Sequence, residues 1–217
     1  MPWPQAAVFD FDGLLADTSA CWLQAYSDAL AGQGHRLDAA AISQLAGASV
    51  ETAAVYLGVS ATRLGLCLYR AFSDIAPQLL PGARQIVTLL AQRMPVGVAT
   101  NAPAPLVEAV LDAAGLRRHL DAIVGAEPPR SPKPAPDVYV AACHALGVAP
   151  SRTVALEDSL VGVMSARRAG LTVIGVARGP EIDGTHLHVP RLDDHRLHQL
   201  LGLDDNQAGQ QARKSGP

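Results

Sequence analysis

The chain has 217 residues, 49% of them hydrophobic, and 17 basic against 20 acidic side chains give a formal charge of −3. That length suits one domain, or one domain with a sizeable insertion, and the apolar mass suffices for a large core. The near-balanced charge offers no basic stripe for nucleic acid, no run is long and apolar enough for a membrane span, and Met-Pro-Trp-Pro-Gln lacks the start of a signal peptide.

The first predicted strand is Ala6–Phe9, an apolar run of the kind that forms a buried parallel strand. It leads into Asp10-Phe11-Asp12-Gly13, where Gly13 breaks the strand. Asp and Gly also favour plain turns. Two carboxylates at the end of a core strand, however, call for a cation, because buried charges are paired or bind metal. The carboxyl end of such a strand is also where open α/β sheets place ligands. Residues 19–79 contain no convincing strand and read as helices over about Ala20–Ala31, Ala39–Leu45, Val50–Leu57 and Thr62–Asp74, closed by Pro81-Gly82. Trp22 and Tyr26, four apart on the first of these, read as packing residues.

Strict alternation then begins. Helical patterns over Ala83–Gln92, Pro105–Ala114, Asp137–Leu146 and Leu160–Ala169 are interleaved with strand candidates Val96–Ala99, Ala122–Val124, Thr153–Leu156 and Val173–Val176. Gly115, Gly147 and Gly170 fall just past helical runs, as C-terminal caps do. The expected fold class is α/β: a Rossmann-like parallel sheet with helices on both faces and an inserted α-helical cap. Residues 1–16 and 81–203 are assigned to the core, 17–80 to the cap, and the polar stretch 204–217 to a tail expected to be disordered. Both links of the insertion lie beside the Asp pair, so it can open and close over a site. Cys21, Cys67 and Cys143 are odd in number and widely spaced, which fits buried thiols in a reducing cytoplasm. His186-x-His188 and His195-x-x-His198 lack partners with zinc-site spacing.

Four short segments fall at strand ends: Asp10-Phe-Asp12-Gly, Ala99-Thr100-Asn101, Lys133-Pro-Ala-Pro-Asp137 and Glu157-Asp158-Ser159. Singly they read as a turn, a loop, a solvated Lys-Pro and a helix N-cap. In a parallel sheet they share one edge. Asp10, Asp12, Glu157 and Asp158 then form an oxygen-rich set for a hard cation such as Mg²⁺. Thr100 and Lys133 supply the donors a phosphoryl group needs as charge shifts in the transition state.

These four segments, in this order, resemble the haloacid dehalogenase superfamily, in the branch of β-phosphoglucomutase-like and sugar-phosphate phosphatase-like proteins with a helical cap. The resemblance spans about residues 6–190, and its fourth segment continues through Leu156-Glu-Asp-Ser-Leu-Val-Gly-Val-Met-Ser-Ala-Arg-Arg-Ala-Gly170. It implies that Asp10 is a nucleophile forming an aspartyl-phosphate and Asp12 the acid–base. It implies phosphate binding by Thr100, Asn101 and Lys133, and Mg²⁺ binding by Asp10, the backbone carbonyl of Asp12, Glu157 and Asp158. The expected function is a cytoplasmic Mg²⁺-dependent phosphatase of a small phosphorylated metabolite, a sugar phosphate first, with no nucleic-acid or membrane partner. A β-phosphoglucomutase-like mutase is the alternative, and a non-catalytic binding protein the reading from another class. Leu45-Ala-Gly47-Ala-Ser49-Val50-Glu51 resembles the cap segment of these proteins, with Val50 where the mutases have Arg. The cap helices contain no Lys and only Arg63 and Arg70, which weakens the mutase reading. Ser19 stands where many of the phosphatases have Glu, and Pro132 stands where Gly is common.

Overall fold

The structure, a computed structural model, describes residues 4–32 and 37–203; the tail expected over 204–217 lies outside them. Strand β1 (Ala6–Phe9) is followed by four helices, α1 (Ser19–Leu30), α2 (Ala39–Leu45), α3 (Val50–Leu57) and α4 (Ala61–Ile75). The alternating part comprises α5 (Ala83–Ala91), β2 (Val96–Ala99), α6 (Ala104–Ala113), β3 (Ala122–Val124), α7 (Asp137–Leu146), β4 (Thr153–Glu157), α8 (Leu160–Arg168), β5 (Thr172–Val176), β6 (Leu187–Val189) and α9 (His195–Leu200). All strand pairs are parallel, in the order β3-β2-β1-β4-β5-β6. This is a Rossmann-like α/β sheet, whose ligand crevice lies where the strand order reverses, between β1 and β4.

β1 runs at the centre and is wholly buried. Its alternation divides the core: Ala7 and Phe9 join the layer of Ile86, Leu90, Leu106 and Leu197, while Ala6 and Val8 join that of Tyr139, Ala142, Val163 and Ala166. Helices α5, α6 and α9 therefore cover one face and α7 and α8 the other. Register sets the site. Phe9 pairs with Val98 on β2 and with Leu156 on β4, so Asp10 emerges level with the ends of both neighbours.

The four inserted helices pack chiefly through α1 on α4 and α3 on α4. Small residues on α1 (Cys21, Ala25, Ala29) admit Leu64, Leu68 and Ala71 of α4, and all six are buried. The two links to the sheet run side by side. Asp17 donates its N–H to the Gln78 carbonyl and Leu80 to that of Leu15, each at 2.9 Å. Gly82, at φ 86°, begins α5 pressed against the backbone of Leu192 and Asp193, where an added Cβ would collide.

One strand and one α-helix were not expected from the sequence. β6 is a three-residue edge strand held by pairing to β5, and α9 is a six-residue helix capped by the Asp194 side chain accepting from the Arg196 N–H. His188 within β6 is held by the Ala177 carbonyl at 2.9 Å and His198 by that of Leu192 at 3.2 Å. Among the described residues, the His pairs form no metal-ligand cluster.

Candidate active site

Asp10 leaves β1 with its N–H still donating to the Leu156 carbonyl on β4. It is 6% exposed, and its carboxylate accepts from the Lys133 ammonium at 2.5 Å. The same ammonium donates to Glu157 Oε1 at 2.6 Å, and Glu157, the last residue of β4, is fully buried. Tyr139 on α7 donates its hydroxyl to that oxygen at 2.7 Å, and Ser159 donates to Oε2 at 3.2 Å. One lysine thus bridges two buried carboxylates from adjacent strands. Ser159 also caps α8 by accepting from the Gly162 N–H, so one side chain both caps the helix and bonds the Glu157 carboxylate. Gly162 has no alternative, because a Cβ there would overlap the Glu157 carboxylate.

The loop that carries Lys133 is pinned on several sides. Ser131 N–H donates to Asp137 at the start of α7, and Arg168 on α8 donates to the Pro134 carbonyl at 2.9 Å. Asn101 accepts from the Lys133 N–H at 2.8 Å and donates to the Gly47 carbonyl, in the α2–α3 loop, at 2.6 Å. Its side-chain amide is therefore spent on joining the Lys133 loop to the insertion. Thr100, at the end of β2, accepts from the Ala102 N–H and donates weakly to Asp12 Oδ2 at 3.4 Å.

Asp12 turns away from the Asp10 carboxylate. Its Oδ1 accepts from the Thr18 hydroxyl at 2.6 Å and from the Trp22 indole N–H at 2.8 Å. The side chains that share a potential cation site are Asp10, Glu157 and Asp158, with one oxygen of each inside 4.8 Å of the others. Gly13 shapes this set. It sits at φ 78°, and a Cβ there would overlap the Asp158 carboxylate. Three carboxylates facing one lysine leave an excess of buried negative charge, and all donor atoms are hard oxygens. The residues present therefore fit a divalent cation.

The electrostatics agree. Burial, set against the attraction of Lys133, pushes the Asp10 carboxyl well above the usual carboxylate range. Burial also raises Asp12, against the bonds from Thr18 and Trp22. Burial and then Glu157 push Asp158 up to about 7. For Lys133, burial works against the charge, but Asp10 and Glu157 outweigh it and keep the ammonium protonated. A carboxyl with a higher pKa folded than unfolded binds more protons when folded. Its stabilising contribution is full below the unfolded value and is lost as pH rises through the folded one. Without metal, the melting temperature should therefore fall as pH rises from about 5 to about 8, and a divalent cation should flatten that slope by taking the protons' place. Melting curves in EDTA and in Mg²⁺ test this; a slope unchanged by the cation would exclude these carboxylates as its seat.

Over these groups lies a cavity of about 270 Å³. Asp10, Asp12, Asn101, Lys133 and Asp158 line its floor, and Trp22, Leu23, Tyr26, Ile42 and Leu45 of α1 and α2 line its wall. A larger groove of about 1160 Å³ between α4, α5 and α6 holds none of the strand-end groups. Trp22 and Tyr26 do pack together, with ring centroids 5.7 Å apart. Both also line the cavity, so packing is one part of what they do. Trp22 follows Thr18 by one helical turn, and that spacing was the available signal for a shared target. Tyr139, in a plain apolar helix, gave none.

Comparisons with known proteins show the family and the fold. A family model described as haloacid dehalogenase-like hydrolase matches residues 7–176. Hexitol phosphatase B of Escherichia coli (strain K12) is 33% identical over 212 residues, covering 91% of this chain and 93% of the relative. Validoxylamine A 7'-phosphate phosphatase of Streptomyces hygroscopicus subsp. limoneus is 30% identical over 181 residues, covering 79% and 85%. The crystal structure of CbbY from Rhodobacter sphaeroides in complex with phosphate superposes with a TM-score of 0.78 at 27% identity, over 88% of this chain and 96% of that one.

Proposed function

The chain belongs to the haloacid dehalogenase-like hydrolases and acts on phosphate esters, and we propose that it is a Mg²⁺-dependent phosphatase of a sugar phosphate working through an aspartyl-phosphate on Asp10. The observation that carries this reading is the convergence of Asp10, Asp12 and Lys133 at the sheet's carboxyl edge on the floor of one cavity, with the buried Thr100 hydroxyl against Asp12. The phosphatases among its relatives support it.

In this mechanism an Asp10 oxygen attacks phosphorus and the ester oxygen leaves. Asp12, whose pKa burial raises, gives that oxygen its proton. The Lys133 ammonium and the Thr100 hydroxyl hold the equatorial oxygens as charge moves between them. Asp12 then takes a proton from water as the water attacks the phosphoryl group, which returns Asp10 and releases phosphate. Splitting the displacement in two lets a carboxylate do what water does slowly. Asp10, Glu157, Asp158 and the backbone carbonyl of Asp12 would hold the metal. When bound, it neutralises phosphoryl charge and offsets the repulsion among the carboxylates. Residues 17–80 serve as the cap, tied to the core by the Asn101 bond to Gly47. The free thiols of Cys21, Cys67 and Cys143 fit a reducing compartment, and we place this chemistry in the cytoplasm; no helix of the described residues is long and apolar enough to cross a membrane.

Hydrolysis is favoured over mutase chemistry by the cavity wall. A mutase must seat a second phosphate. Among the described residues, Lys133 is the one cation lining the cavity. Arg63 instead donates to the carbonyls of Asp28 and Ala31 at the end of α1, and Arg70 is exposed. Incubation with β-glucose 1-phosphate and Mg²⁺ is expected to give inorganic phosphate without glucose 6-phosphate, and added glucose 1,6-bisphosphate should not start exchange. Accumulation of glucose 6-phosphate would overturn the hydrolytic reading.

A further inference from the structure

The Asp12 carboxyl is held from one side. Oδ1 accepts two bonds, from the Thr18 hydroxyl and from the Trp22 indole. Among the described residues, Oδ2 has only the long contact with Thr100, at the end of β2. An indole N–H donates and never accepts. The hydroxyl oxygen of a protonated carboxyl is a poorer acceptor than its carbonyl oxygen. Two donors on Oδ1 therefore keep that atom as the carbonyl and leave the proton to Oδ2. Thr18 alone does not fix this, because a hydroxyl can turn and accept.

We propose that Trp22 is a positioning residue that holds Asp12 Oδ1 as an acceptor from helix α1, and so presents the transferable proton on Oδ2 toward the leaving-group oxygen. Trp22 is suited to the task. Its ring is braced by Tyr26, its N–H points at a carboxylate ten residues earlier in the chain, and it lines the cavity into which the leaving group must project. The inference rests on the reading of Asp12 as general acid. It adds that the direction of proton delivery is set by a side chain of the insertion and not by the strand end itself.

The test compares two leaving groups. Sorbitol 6-phosphate must leave as an alcohol and needs the proton. The nitrophenolate of p-nitrophenyl phosphate leaves as a stable anion and does not. The quantity to measure is kcat/KM, which covers the steps up to leaving-group departure, so that later dephosphorylation does not enter. Trp22→Phe keeps the ring and loses the N–H. It should lower kcat/KM for sorbitol 6-phosphate by about 10- to 100-fold and that for p-nitrophenyl phosphate by no more than about threefold. A benzothiophene isostere at Trp22, with the indole's shape and sulfur in place of N–H, should behave the same way and guards against a packing artefact. Equal losses on both esters, or none on either, would overturn the proposal. Asp12→Ala separates the two levels. If it loses sorbitol 6-phosphate selectively while the Trp22 variants do not, only the inference about Trp22 fails. If Asp12→Ala itself shows no selectivity, the acid role fails with it.

Discussion

Asp10→Asn is expected to lower phosphate release by at least about 10⁴-fold without lowering the melting temperature in metal-free buffer. The amide has the shape of the carboxylate but no nucleophilic oxygen to form an acyl phosphate, so the two-step route closes and no other group stands in its place. The fold has no need of the charge. Asp10 is buried beside Glu157, Asp158 and Asp12, and all three raise its pKa. An Asn carbonyl can still accept from Lys133, while the repulsion among the carboxylates falls. Phosphate release from p-nitrophenyl phosphate and a melting curve on the same sample check both halves. Near-normal turnover would remove Asp10 from the mechanism; loss of folding would show that its charge is structural.

Lys133→Met is expected to fail in both respects. The ammonium, with a side chain 4% exposed, bridges Asp10 and Glu157, whose side chains are 9% and 0% exposed. Removing one member of a buried ion pair costs about 3–5 kcal/mol, because the remaining charge is left without a partner. The loss should appear in EDTA as a lower urea midpoint with an unchanged slope. Activity should fall even with saturating metal, since in the proposed mechanism the Lys133 ammonium holds the equatorial phosphoryl oxygens. Adding Glu157→Gln to Lys133→Met should recover stability and not activity. If the single variant is as stable as the parent, the triad contributes nothing to the fold.

Much of this arrangement was legible in the sequence. The strand β1 and the helices over Ala39–Leu45, Val50–Leu57 and Asp137–Leu146 have the expected bounds, because their apolar periodicity is interrupted at both ends by caps, Gly or Asp. The segments at Asp10, Thr100 and Glu157 lie on one edge because the parallel register leaves them no other place, and the Lys133 loop is brought to the same edge by its bonds to Asn101, Asp137 and Arg168. β6 was hidden, since a three-residue edge strand with a histidine in the middle has no period to read and is held only by its pairing to β5. Within the site, residue types and positions could be read, but orientations could not. Asn101 carries one amide whatever it bonds, and only the fold brings Gly47 and the Lys133 backbone to it. The turning of Asp12 toward Thr18 and Trp22, away from the Asp10–Glu157–Asp158 set, likewise depends on where α1 sits after its link.

The proposed aspartyl-phosphate on Asp10 can be trapped directly. The protein, mixed with Mg²⁺ and p-nitrophenyl phosphate, is quenched in acid during turnover, digested, and its peptides weighed. The expected result is one phosphoryl group on the peptide containing Asp10, removable by hydroxylamine as an acyl phosphate must be, more abundant in Asp12→Asn and absent in Asp10→Asn. Phosphate release with no label on that peptide, or with the label on another residue, would contradict it.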